Sequence, residues 1–172
     1  YGGPIENRAR IVFEIYRAVR AAGGDYPIWI KINSSDLEEG GLSFAESLWV
    51  CEQLSDMGID AIEVSGGVSI STFSASARKV PNLQGEGYFA REALVIADKI
   101  AADIISVGGY RTPGLLRDTL NEGNIKAISL SRPLICEPDL VHRWEAGSLG
   151  MSKCISCNRC FAEGPVSCKV LV

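Results

Sequence analysis

Histidine is almost missing from this chain: one residue, His142, among 172. It falls inside the last helix-like segment, away from any strand end. It is therefore expected to pack or face water, and no catalytic acid can be named from the sequence. Positive charge is also scarce, with 17 Lys and Arg against 21 Asp and Glu and a net charge of -4, which gives no reason to expect nucleic acid or an anionic membrane as a partner. No apolar run reaches the roughly 18 residues that a membrane span needs. No signal-peptide pattern opens the chain. An initiator Met is absent too; Tyr1-Gly2-Gly3 reads as mid-loop, so a piece of a longer polypeptide is expected. What is present is ordinary for a globular domain: 47% hydrophobic and 22% charged residues exclude a disordered tract.

Cysteine is unevenly spread. Four of the six lie in one array, Cys154-x2-Cys157-x2-Cys160-x7-Cys168. Thiolates this close can share one centre, because a short turn brings successive sulfurs together. The expectations are a [4Fe-4S] cluster, a structural zinc, or a tail with nothing bound, with the four cysteines as ligands rather than disulfides in a reducing cytoplasm. Cys51 and Cys136 sit in apolar segments and read as small core residues.

Ahead of the tail, helix-like and strand-like segments alternate. Pro4 suits a first helical turn, Ile11, Val12, Ile15 and Val19 recur at helical spacing, and Gly23-Gly24 ends that helix. Pro27 to Asn33 reads as a strand. Ser43 with Glu46 forms a capping box for a helix to about Gly58. Ala61 to Ser65 is the next strand. A long Gly/Ser-rich stretch, Gly66 to Gly87, is too long for a plain connection. A helix from about Phe89 to Ala101, a strand at Ile104–Val107, a helix from Thr112-Pro113 to Gly123, a strand at Ala127–Leu130 and a helix from Pro138-Asp139 to about Ala146 complete the series. Gly147 to Gly150 reads as a linker. The division expected is 1–148 for the βα part and 149–172 for the cysteine-rich tail.

Such alternation implies an α/β fold with parallel strands. It suits either a doubly wound sheet or half of a (βα)8 TIM barrel, since a whole barrel needs about 250 residues. In a barrel, function gathers at the C-terminal strand ends. At the first of these, Lys31 lies within an apolar strand and must meet an anion: either a ligand or a neighbouring carboxylate such as Glu63. Gly108-Gly109 after the third strand permits close approach of a ligand. Ser131-Arg132 after the fourth offers a cation for a phosphate. Tyr88, Phe89 and Phe73 could wall a pocket or anchor the long loop. Arg17, Arg20 and Arg117 are expected on solvated faces.

Several of these segments carry a resemblance. Tyr1-Gly2-Gly3-Pro4-Ile5-Glu6-Asn7-Arg8-Ala9-Arg10 resembles the YGGSxENRxR segment of the old yellow enzyme family of NAD(P)H:flavin oxidoreductases. Ile30–Asn33, Gly108–Pro113 and Ser131–Leu140 resemble that family in the same order. The branch containing 2,4-dienoyl-CoA reductase and NADH oxidase-like enzymes is the most similar, and it carries a cysteine-rich segment after its barrel. The resemblance implies the C-terminal half of a TIM barrel and a non-covalent FMN. It places Lys31 near flavin N1 and O2, Gly109 and Tyr110 at the phosphate, and Ser131-Arg132 at the family's Gly-Arg phosphate pair, with Ser standing where the family has Gly. It implies NAD(P)H and a small electron acceptor as partners. The family's substrate-binding His and catalytic Tyr precede the YGG motif, so this chain alone is expected to be inactive. Open sheet edges would call for a second copy or the other half-barrel. Two other readings stay open on the residues: a structural half-barrel that self-associates, and an aldolase- or synthase-like phosphate-binding barrel with Lys31 as a Schiff-base residue.

Overall fold

The computed structural model describes residues 1–68, 77–80, 82–162 and 164–170. Four strands, β1 (Trp29–Asn33), β2 (Ala61–Ser65), β3 (Asp103–Val107) and β4 (Ile125–Ser129), form one sheet in the order β1-β2-β3-β4. Every pairing is parallel, with Lys31 opposite Glu63 and Val107 opposite Ser129. A doubly wound sheet reverses its strand order at a switch point. Here each strand lies beside the next in chain order, which is the order of a barrel wall. Four βα units of a TIM-barrel type fold are therefore present.

The helices are α1 (Ile5–Arg8), α2 (Arg10–Gly23), α3 (Phe44–Asp56), α4 (Ala90–Ala97), α5 (Pro113–Asn121), α6 (Arg132–Cys136) and α7 (Leu140–Glu145). The capping box of α3 forms as expected: the Ser43 hydroxyl accepts from Glu46 N–H and the Glu46 carboxylate accepts from Ser43 N–H. The first helix is in two pieces that meet at Ala9. α6 was not expected. Ser131 to Ile135 reads as a strand end in sequence, but Pro133 in the first turn suits a helix start.

The core lies between sheet and helices. Ile62, Val64 and Ile104 from the strands meet Cys51, Leu54, Ala93 and Ile96 from α3 and α4, all fully buried. Cys51 is thus the core residue it was expected to be. Burial also pushes its thiol up to about 12, which keeps it neutral.

The N-terminal ends of β1 and β2 are tied by Arg20. Its guanidinium donates to the carbonyls of Gly24, Tyr26 and Gly58 and to the Asp60 carboxylate at 2.6 Å. Asp60 also accepts from Ile28 N–H at 2.8 Å. The expectation of a solvated Arg20 is corrected by these contacts, which join positions about forty residues apart.

The outer side of β1 is apolar. Val12, Ile15, Val19, Trp29 and Ile30 line a cavity of about 250 Å³. Trp29 is 64% exposed there. Among the described residues no helix is long and apolar enough to cross a membrane.

Candidate functional site

All four strands point their C-terminal ends to one side, and a cavity of about 200 Å³ opens there. Lys31, Gly108, Gly109, Tyr110, Ser131 and Arg132 all line it. The turns after β3 and β4 thus converge, although they come from different βα units.

The turn after β3 depends on glycine. Gly108 and Gly109 have φ of +143° and +74°, and a side chain on Gly109 would stand 2.7 Å from both the Tyr88 ring and Val80. The close approach is therefore with the protein's own Tyr88 loop, whose N–H donates to Gly108 O at 3.1 Å. Tyr110 is fully buried; its hydroxyl shares a 2.9 Å hydrogen bond with Ser106, and burial pushes the phenol up. Among the described residues, the backbone N–H groups of Gly109, Tyr110, Ser131 and Arg132 have no protein acceptor. Four N–H donors beside one arginine are the donor set that a phosphate group takes.

Arg132 is 93% buried as the first residue of α6, with 7% of its surface exposed. Its guanidinium donates to Arg78 O at 2.7 Å, Asn158 Oδ1 at 2.6 Å and the Tyr88 hydroxyl at 3.3 Å. These bonds fix its direction before any ligand arrives. Lys31 is ion-paired with Glu63, its register partner on β2, and its side chain, about half exposed, lines the cavity. The neighbouring-carboxylate reading of Lys31 is therefore met by Glu63, and the residue stands on the cavity wall as well. Tyr88 and Phe89 line the cavity, and Phe89, 2% exposed, also anchors the loop. Phe73 lies outside the described residues.

One residue that sequence reasoning missed organises this end. Glu86, buried, accepts from Arg111 N–H at 2.7 Å, Thr112 N–H at 3.0 Å and the Thr112 hydroxyl at 3.0 Å. The Arg111 Nε lies 3.4 Å from the same carboxylate. Glu86 so clamps the turn between β3 and α5 that Gly108-Gly109 begins.

The tail docks on this end of the barrel. Glu137 accepts from Lys153 N–H, the Ser152 hydroxyl and Arg143. Burial alone would raise its carboxyl, but these three donors outweigh burial and hold it below the usual range. Arg111 donates to Cys154 O at 3.1 Å, and Asn158 donates to Ala77 O at 2.5 Å. Phe161 reaches the cavity wall.

Cys154, Cys157, Cys160 and Cys168 line a second, smaller hollow of about 20 Å³. Ser156 and Asn158 take left-handed backbone, and Ser156 N–H points to Cys154 Sγ at 3.4 Å. Yet among the described residues no three ligand side chains surround one point closely enough to hold a metal ion. Four thiolates have the right chemistry for a cluster or zinc, but their arrangement does not fit either. Cys136 lines the same hollow. That corrects its reading as a core residue: the last turn of α6 faces the tail rather than the sheet. His142 is exposed, with Glu145 as partner, as expected.

Along 99% of its length the chain is 30% identical to the metal reductase of Desulforamulus reducens, of which it covers 26%. It is also 30% identical to the NADH oxidase of Thermoanaerobacter brockii, over 92% of this chain and 24% of that protein. The chain therefore spans about a quarter of the length of these relatives. Among solved structures, 2-naphthoyl-CoA reductase superposes with a TM-score of 0.74 at 25% identity, over 89% of this chain and 24% of that one. The old yellow enzyme homologue from Zymomonas mobilis shares the fold, with a TM-score of 0.62 at 22% identity over 88% of this chain and 40% of that one. Residues 1–149 match the model of the NADH:flavin oxidoreductase / NADH oxidase family, and the chain belongs to that family.

Proposed function

We propose that this chain is the phosphate-binding part of an FMN-dependent oxidoreductase that takes hydride from NAD(P)H and passes it to a small acceptor. The observation that carries the reading is the convergence of the Gly108-Gly109 turn and Arg132 on one cavity with Lys31 on its wall. FMN would supply the redox chemistry.

The chain's own residues do the holding. The N–H groups of Gly109, Tyr110, Ser131 and Arg132 take the phosphate oxygens, and the Arg132 guanidinium neutralises their charge. Glu86 keeps the β3 turn in place while this happens, because its carboxylate already satisfies the two N–H groups that follow the turn. Tyr88 and Phe89 close one side and exclude water. Lys31 offers positive charge at the β1 end of the cavity, where Glu63 keeps its ammonium oriented. The apolar outer side of β1 receives another part of the protein or a second copy. The tail cysteines take no part in these steps, since among the described residues their arrangement does not fit a metal.

Flavin titration of the full-length protein tests this reading. FMN is expected to bind far more tightly than riboflavin, which lacks the phosphate. Equal affinity for the two would overturn the phosphate site. The 172-residue chain by itself is expected not to oxidise NAD(P)H, followed by absorbance with FMN added; measurable turnover would refute that part.

A further inference from the structure

Two arms frame the phosphate donors, and one short run of the tail is bonded to both. On the β3 side, Arg111 follows the Gly109-Tyr110 turn. Its carbonyl accepts from Ser152 N–H at 2.9 Å, and its guanidinium donates to Cys154 O at 3.1 Å. On the β4 side, the Arg132 guanidinium donates to Asn158 Oδ1 at 2.6 Å and to Arg78 O at 2.7 Å. The Asn158 amide in turn donates to Ala77 O at 2.5 Å. Asn158 thus closes a junction of α6, the 77–78 segment and the tail. The run 152–158 reaches from one arm to the other, and none of these ties passes through a sulfur.

The run is held in a shape that it would not keep alone. Ser156 and Asn158 have φ of +53° and +64°, a backbone that residues with a side chain disfavour. Ser152 and Ser156 are buried all the same. A further anchor lies away from the cavity: Glu137, which is not on the cavity wall, accepts from the Ser152 hydroxyl and from Lys153 N–H.

We infer that the run 152–158 is a positioning element of the phosphate site, so that phosphate binding and tail docking strengthen each other. The inference rests on the phosphate reading above. A docked tail keeps Arg132 aimed and the Arg111 end of the β3 turn still, so the donors meet a phosphate without first being ordered. An undocked tail leaves Arg132 without its Asn158 acceptor and Arg111 without either tail bond. By linkage, the factor that docking adds to phosphate affinity is the factor that phosphate adds to docking.

The test uses the full-length protein as purified, with metal content measured in every sample. Backbone hydrogen exchange of peptides covering 152–158 is followed without flavin, with FMN, and with riboflavin at equal fractional occupancy. FMN is expected to slow exchange there by at least about fivefold, and riboflavin to leave it unchanged. Glu137→Gln weakens docking without touching a phosphate donor. It is expected to lower FMN affinity by at least about fivefold and to leave riboflavin affinity within about twofold. Tail exchange that FMN does not slow, or an unchanged FMN affinity in a Glu137→Gln protein whose tail exchanges faster, would overturn the inference while the phosphate reading stands. Equal affinity of the native protein for FMN and riboflavin is a different failure, that of the phosphate reading, and takes the inference with it. If Glu137→Gln loses metal or does not fold, the exchange comparison on the native sequence decides alone.

Discussion

The cavity of about 200 Å³ at the strand ends and the hollow of about 20 Å³ among the cysteines share one wall, Arg132, but are made differently. The larger cavity is framed by regular structure. Parallel strands fix where the turns begin, and Glu86 fixes how the β3 turn continues. The smaller one is framed on one side by α6 and on the other by a tail that has one short 3-10 turn, Arg159–Phe161. Its walls stand where side chains tie them: Arg111 to Cys154 O, Glu137 to Ser152 and Lys153, Arg132 to Asn158. A site on the barrel is prepared by the fold, whereas a site in the tail is only as ordered as its anchors allow.

The sharpest way to break this contrast is Glu86→Ala. It leaves the Arg111 side chain, 6% exposed, beside no carboxylate and two N–H groups without an acceptor. Losing one partner of a buried pair costs about 3–5 kcal/mol, read from denaturant unfolding. A loss under about 1 kcal/mol would mean that the strands alone hold the β3 turn.

Arg132→Ala comes next. It should weaken FMN binding by about 2–5 kcal/mol while changing riboflavin binding far less, in a paired fluorescence titration. It should also loosen the tail, seen as faster proteolysis after Lys153. A loosened tail with unchanged FMN affinity would assign Arg132 to the tail alone.

Gly109→Ala puts a methyl 2.7 Å from Tyr88 and Val80 at a backbone φ of +74°. The expected cost is about 1–3 kcal/mol in thermal or chemical unfolding. Asn158→Ala removes one acceptor from Arg132 without touching the cavity's own turns. It should weaken FMN by about tenfold, roughly one charged hydrogen bond.

The smallest expected effect is a pH dependence. A carboxylate held below its usual value stabilises the fold above that value and ceases to as pH falls through the lowered one. Glu137 is such a group. Tail anchoring should therefore persist at neutral pH and weaken only once the pH falls below the ordinary Glu range. Limited proteolysis across that range, with Glu137→Gln as the flat control, measures it.

Much of the larger cavity was legible in the sequence. Period-2 apolar strands, the Ser43–Glu46 box and glycines after β3 are local signals, and local signals survive folding. The Lys31–Glu63 pair was legible as well, because the strand register follows once parallel neighbours are assumed. The clamps were not. Glu86 meets Arg111 25 positions away, Arg20 meets Asp60 40 positions away, and Glu137 meets Lys153 16 away. Nothing in a single sequence marks one acidic residue as the partner of a distant donor. Cys136 was misread for the same reason: an apolar neighbourhood along the chain says little about what lies across space. The α6 helix is a different failure, since Pro133 suits a first helical turn while its segment was read only as the end of the fourth strand.

The strand order has one more consequence. From β2 onward, each strand pairs with the strand that precedes it in the chain, so each of these βα units emerging from the ribosome finds its template already built. Such a sheet can grow from the N-terminal side one unit at a time, and the cysteines, following the four strands, meet a surface that is already assembled.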